Sequence, residues 1–162
     1  MNDRLKFLIK FLALTALLFL VWIPIGEKYL DLLAWVSKYV LLLLGYHVTL
    51  VMDGTPFFLY QGVRVGLESA HLSNFNIVPL VALVLATPKI LPMRRVKVLL
   101  IGLFILFCMH VVDLAFHFPM YFGGSGAAEI VVDSMAVGEV VVPFVLWFVL
   151  VHREILGAVR DE

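Results

Sequence analysis

The sequence predicts an all-α polytopic membrane protein with four transmembrane helices, an extracytoplasmic amphipathic helix and a small β-hairpin or meander. Three observations carry that expectation. Of 162 residues, 63% are hydrophobic and 15% charged, and the mean hydropathy is +1.06, which exceeds what one soluble core of this size needs. Apolar runs long enough to cross a hydrocarbon core of about 30 Å recur along the chain. Basic residues gather in three places: Arg4, Lys6 and Lys10; Lys89, Arg94, Arg95 and Lys97; and Arg153 with Arg160. The positive-inside rule makes all three places cytoplasmic, so an even number of spans separates the two cytoplasmic termini.

The first span covers about residues 7–25, with Trp22 near the outer interface. It reads as a retained anchor, because WIPIGEKY shows no small-x-small site for removal as a signal peptide. Residues 26–67 are expected to be extracytoplasmic. Within them Tyr29–Tyr46 is apolar but interrupted by Asp31 and Lys38, which suits an interfacial or re-entrant amphipathic helix. Counting it as a span would put the basic PMRR loop outside. Val48 to Val65 then alternates β-branched and aromatic residues around Asp53-Gly54 and Gln61-Gly62, the signature of a three-stranded meander.

The second span is argued from length. Ile77 to Thr87 is too short to cross, whereas a start at Glu68 gives a full span over 68–87. That start puts Glu68, His71 and Asn74 on one arc of the first two turns, with Pro79 inside and Pro88 at the end. The third span, 96–117, carries His110, Asp113 and His117 within roughly 60° of one another around the helix. A Gly-rich extracytoplasmic loop covers 118–134 and holds Glu129 and Asp133. The fourth span, 135–151, brings Glu139 into its outer part, with Pro143 one turn later.

Function classes narrow accordingly. A formal net charge of zero gives nucleic-acid binding no electrostatic basis. A single cysteine, Cys108, rules out an internal disulfide or a multi-cysteine metal cluster. Two residues before His110, it is expected to be a buried structural thiol. Ser69, Ser73 and Ser134 read as caps or backbone-bonded hydroxyls. The lipid bilayer is the one partner composition requires.

Ionisable residues at membrane depth usually face protein or a wet cavity. The expected binding set is Glu68, His71, Asn74, His110, Asp113, His117 and Glu139, converging in the outer half of the bundle. Three readings compete for it. The groups hold the helices together through hydrogen bonds; or they form a binding or catalytic site with His71, His110 and Asp113 as candidate acid–base groups; or Glu68, His71, His110, Asp113 and His117 hold a divalent metal, since His and Asp three residues apart can share an ion. No registered ligand motif appears, and no cofactor is expected.

From Leu41 to Leu114 the order LLLLGYHVTLVMDGTPFFLYQGVRVGLESAH, a short basic inner loop and a helix ending in polar residues resembles the exosortase/archaeosortase superfamily of membrane transpeptidases. In that family a hairpin leads to an alanine-cysteine pair that opens a membrane helix. The next helix carries an asparagine with an arginine three residues later. Here Ala70 is followed by His71 rather than cysteine, and His110 and Asp113 stand where the asparagine and arginine would be. A transpeptidase of this kind needs a thiolate nucleophile and a cation to stabilise developing negative charge; neither is at the matching positions. The resemblance therefore implies a non-catalytic relative, similar to the exosortase H-associated membrane proteins. Such a protein would reside in the bacterial inner membrane and assist the sorting or processing of C-terminally anchored surface proteins. Its partners would be an active exosortase or the C-terminal transmembrane tail of a substrate. The alternative is a membrane-embedded enzyme using a His/Asp/Glu site at the outer leaflet, with or without a metal. A transporter is disfavoured because no inverted repeat is visible.

Overall fold

The structure, a computed structural model, describes residues 3–67 and 74–160. It is mostly helical. In chain order the elements are α1 (Asp3–Leu43), strands β1 (Thr49–Val51), β2 (Phe57–Tyr60) and β3 (Val63–Gly66), a 3-10 turn (Asn74–Asn76), and helices α2 (Ile77–Ala86), α3 (Pro92–Tyr121) and α4 (Gly126–Arg160). Three helical stretches, Leu5–Leu43, Pro92–Tyr121 and Gly126–Glu154, are long and apolar enough to cross a membrane. The apolar stretch Asn74–Ala86 is shorter. At about 1.5 Å per residue it rises about 20 Å. Glu68, Ser69, Ala70, His71 and Ser73 lie outside the described residues.

The expected break after Ile25 is absent. α1 continues through Pro24 to Leu43 as one helix of 41 residues, so Tyr29–Tyr46 forms no separate amphipathic helix. Proline removes one backbone donor and crowds the preceding turn, but it does not prevent a helix from resuming. Burial on the far side outweighs that cost: Leu30, Leu33, Ala34, Ser37 and Leu41 are all buried, a stripe at helical spacing. The helices on either side of the expected 118–134 loop are also longer than expected. α3 runs through Pro119 to Tyr121 and α4 begins at Gly126, leaving four residues between them. Ser125 caps α4, its Oγ accepting from the Ala128 N–H at 3.3 Å. Glu129 and Asp133 therefore sit exposed on α4.

The chain forms two compact units. One comprises Ile23–Asn74 and Phe107–Glu139 and contains the sheet. Its order is β1-β2-β3, antiparallel throughout, as the turn residues predict. Gln61 and Gly62 both have positive φ, 49° and 79°, the geometry of a tight hairpin turn between Tyr60 and Val63. The core joins Leu30, Leu33, Ala34 and Leu41 of α1 to Val48, Phe58 and Leu67 around the sheet and to Val111, Leu114, Ala115 and Phe118 of α3. Phe118 is the aromatic centre, with ring centroids 5.5–5.9 Å from Phe122, Tyr46, Phe58 and Tyr60. Beside it Gly123 closes the α3–α4 turn, where a Cβ would come within 2.8 Å of the Pro119 carbonyl oxygen.

The other unit comprises Met1–Trp22, Phe75–Leu106 and Val140–Glu162. α2 is its interior helix, with Ile77, Val78, Leu80, Ala82, Leu83, Val84 and Ala86 buried. A helix apolar all round belongs inside. Gly102 of α3 admits Leu80 so closely that a Cβ there would lie 2.8 Å from Leu80 Cδ2. Thr87 ties the end of α2: its Oγ1 donates to the Leu83 carbonyl at 2.7 Å and accepts from Trp147 Nε1 at 2.9 Å. Arg95 donates to the Thr87 carbonyl at 3.2 Å, and Arg94 reaches the Leu150 carbonyl and Glu154. Arg94 and Arg95, in the first turn of α3, thus tie it to the body of α4 and to the end of α2.

Candidate functional site

The sheet-containing unit has a half-open cavity of about 520 Å³ between β3, α3 and α4. β3 and the residue after it contribute Val63, Arg64, Val65, Gly66 and Leu67; α3 contributes Asp113, Leu114, His117, Phe118 and Tyr121; α4 contributes Val132, Ala136 and Glu139. The α3 set falls at offsets of one, four, five and eight residues and the α4 set at four and seven, so each helix offers one face. Apolar walls thus surround a few convergent polar groups, the usual make-up of a ligand site.

Three of the expected residues meet here: Asp113, His117 and Glu139. His117 Nδ1 lies 2.7 Å from the backbone oxygen of Asp113 and 3.7 Å from its carboxylate. A carbonyl oxygen only accepts, so Nδ1 carries a proton and donates. In the neutral ring Nε2 is then the acceptor. Asp113 and Glu139 thus bring two carboxyl groups, and His117 an imidazole, to the lining of one cavity. Arg64 adds a positive charge from the strand side, its guanidinium carbon 4.2 Å from the centroid of the Phe57 ring.

His110 does not line this cavity. It is buried, 3% exposed, and its Nδ1 is 2.6 Å from the Tyr29 hydroxyl. Tyr29 also meets Phe107 edge-on at 5.8 Å. Among the described residues His110 Nε2 has no hydrogen-bond partner. Three residues on one arc of a helix still separate when the arc borders two neighbours. Seven residues also place His110 about 10 Å along the axis from His117. Asn74 is 1% exposed, and among the described residues neither of its amide atoms is hydrogen-bonded. Glu68 and His71 lie outside the described residues. Among the described residues no three His, Cys, Asp or Glu side chains form a group able to hold a metal ion. Cys108 is exposed rather than buried: the 200° rotation that turns it from His110 carries it out of the core. Ser134 bonds the Ile130 carbonyl at 2.7 Å, as expected of a helical serine.

Tyr29 and Arg64 are not marked as site residues by any local sequence pattern. Tyr29 directly precedes the buried Leu30-Leu33-Ala34 stripe, a position that signals a partner inside; Arg64 falls on a strand whose facing is set only by the register with β2. A second concavity of about 420 Å³ lies between Glu27, Lys28, Leu30 and Asp31 of α1 and Gly54-Thr55-Pro56, where Lys28 pairs with Asp31 at 3.3 Å. No family model, curated protein or solved structure matches the chain.

Proposed function

We propose that this is a membrane-embedded recognition protein, a degenerate exosortase-like accessory that helps an active transpeptidase sort or process C-terminally anchored surface proteins. The observation that carries the proposal is the cavity of the sheet-containing unit, with its apolar walls and its Asp113, His117 and Glu139 lining. In this reading the cavity opens on the extracytoplasmic side of a bacterial inner membrane and receives a membrane-resident segment, such as a substrate's C-terminal tail or a helix of the enzyme. In this reading α2 belongs to a fourth crossing, and both termini are cytoplasmic. The basic clusters at the start of the chain, between α2 and α3, and in the tail support that orientation. Asp113, which replaces the family's arginine, lines the cavity, so the reversed charge changes what the pocket attracts.

Affinity capture of the detergent-solubilised chain tests this. A cysteine-bearing exosortase or a tripartite sorting tail should be retained, and the purified chain alone should leave the tail intact. Cleavage of the tail by the chain alone would overturn the accessory role.

One observation favours a second reading. His117, held by Asp113 with Nε2 as the neutral-state acceptor, has the orientation of a general base. A membrane-embedded hydrolase would then act at this cavity, and cleavage lost in His117→Ala would select that reading.

A further inference from the structure

We infer that, in the unit containing α2, the end formed by the starts of α1 and α3 and the last turns of α4 is a docking surface for anionic phospholipid headgroups. This is independent of what the cavity binds. The first observation is charge. Met1–Trp22, Phe75–Leu106 and Val140–Glu162 make up that unit, and they contain nine of the chain's twelve Lys and Arg but only four of its twelve Asp and Glu. The second is that contacts gather the basic positions at one end. The Phe7 ring stacks on Trp147 with centroids 6.0 Å apart. Trp147 and Arg95 both donate to Thr87, and Arg94 donates to Leu150 and Glu154. Lys10 lies three residues after Phe7, Arg153 three after Leu150, and Lys97 two after Arg95. Arg94 and Arg95 are engaged in these ties. Lys10, Lys97 and Arg153 are exposed, and among the described residues none of the three is in an ion pair or a hydrogen bond.

The third observation points to lipid rather than to another anion. Ile90, on the connection between α2 and α3, is buried, but Leu91 and Met93 beside it are about three-quarters exposed. Apolar side chains interleaved with cations hold a segment at a membrane surface: the apolar groups enter the boundary between headgroups and acyl chains, and the cations meet phosphates. A soluble polyanion would match the charges and leave Leu91 and Met93 uncovered. The three stretches able to cross a membrane also have ends here, at Leu5, Pro92 and Glu154, which is the level at which headgroups meet a spanning helix.

The full chain, delipidated in mild detergent, is titrated with short-chain phosphatidylglycerol and with phosphatidylcholine of equal acyl length. Native mass spectrometry counts bound lipid, and the unfolding midpoint reports folding. Phosphatidylglycerol should be retained about tenfold or more over phosphatidylcholine at low salt, since one basic residue near an anionic surface is worth about fivefold in affinity. The ratio should fall towards one at about 1 M salt, where exposed charges are screened. The triple substitution Lys10→Gln, Lys97→Gln, Arg153→Gln should also bring the ratio to about one. Leu91→Ser with Met93→Ser should lower retention of both lipids by about fivefold or more and keep the ratio. Equal retention of the two lipids by the unaltered protein overturns the inference, and needs no variant to fold. An undiminished ratio in the folded triple variant overturns it, as does unchanged retention in the folded Leu91, Met93 variant. If inorganic phosphate or a polyglutamate peptide displaces phosphatidylglycerol at equal concentration, the surface reads free phosphate or an acidic protein, and the lipid assignment fails.

Discussion

Removing one oxygen atom from Tyr29 deletes a hydrogen bond that ties α1 to α3. The Tyr29 hydroxyl lies 2.6 Å from His110 Nδ1, and His110 is 3% exposed. Tyr29→Phe keeps the edge-on contacts with Phe107 and the His110 ring, both at 5.8 Å, so packing changes little. What changes is that a buried imidazole nitrogen loses its partner, which costs about 1–3 kcal/mol. His110→Leu removes the imidazole altogether. In the double variant two apolar groups face each other, and replacing both members of a buried polar pair by apolar groups is close to neutral. The two substitutions should therefore be non-additive, the double variant costing less than the sum of the singles by about 1–2 kcal/mol. Equilibrium unfolding of the four proteins in mixed micelles of mild detergent and dodecyl sulfate measures that coupling. Additivity within about 0.3 kcal/mol, the scatter expected of independent sites, would refute the pairing.

Other substitutions probe the frame around the cavity. Phe118→Ala should cost about 3–5 kcal/mol in the same unfolding assay, because its ring touches four aromatic neighbours and is 1% exposed; Phe118→Leu should cost much less. Gln61→Asn should stabilise by about 0.5–1 kcal/mol, since Asn-Gly suits a turn with positive φ at both positions better than Gln-Gly. Gly102→Val should cost about 1–3 kcal/mol by overpacking against Leu80, and Leu80→Ala in the same chain should recover part of that loss.

The meander was the most legible part of the fold. Asp53-Gly54 and Gln61-Gly62 carry conformational preferences that act within a few residues, so three strands could be placed before any packing was known. Long apolar helices were legible for the same reason. Their ends were not. Pro24 and Pro119 resemble boundaries in sequence, yet both lie inside helices, because the stripe from Leu30 to Leu41 and the contacts of Phe118 outweigh one lost backbone bond. Glu129 and Asp133 looked like loop residues beside glycines, but Ser125 starts a helix there. At the site, the shared arc of His110, Asp113 and His117 was visible from spacing, while the division of that arc between Tyr29 and the cavity depends on which neighbours flank α3. Tyr29 and Arg64 are far from the α3 residues in sequence, and spacing within α3 cannot reveal them.

Blocking the cavity tests the recognition role most directly. Ala136 lines it from α4, and Ala136→Trp would place an indole in the space while leaving Asp113, His117 and Glu139 unsubstituted. Photocrosslinking of a sorting tail to the solubilised chain, followed in parallel with the unfolding midpoint, is the measurement. If the cavity receives the tail, Ala136→Trp abolishes crosslinking while the midpoint stays at its original value. Undiminished crosslinking in the folded variant would contradict it.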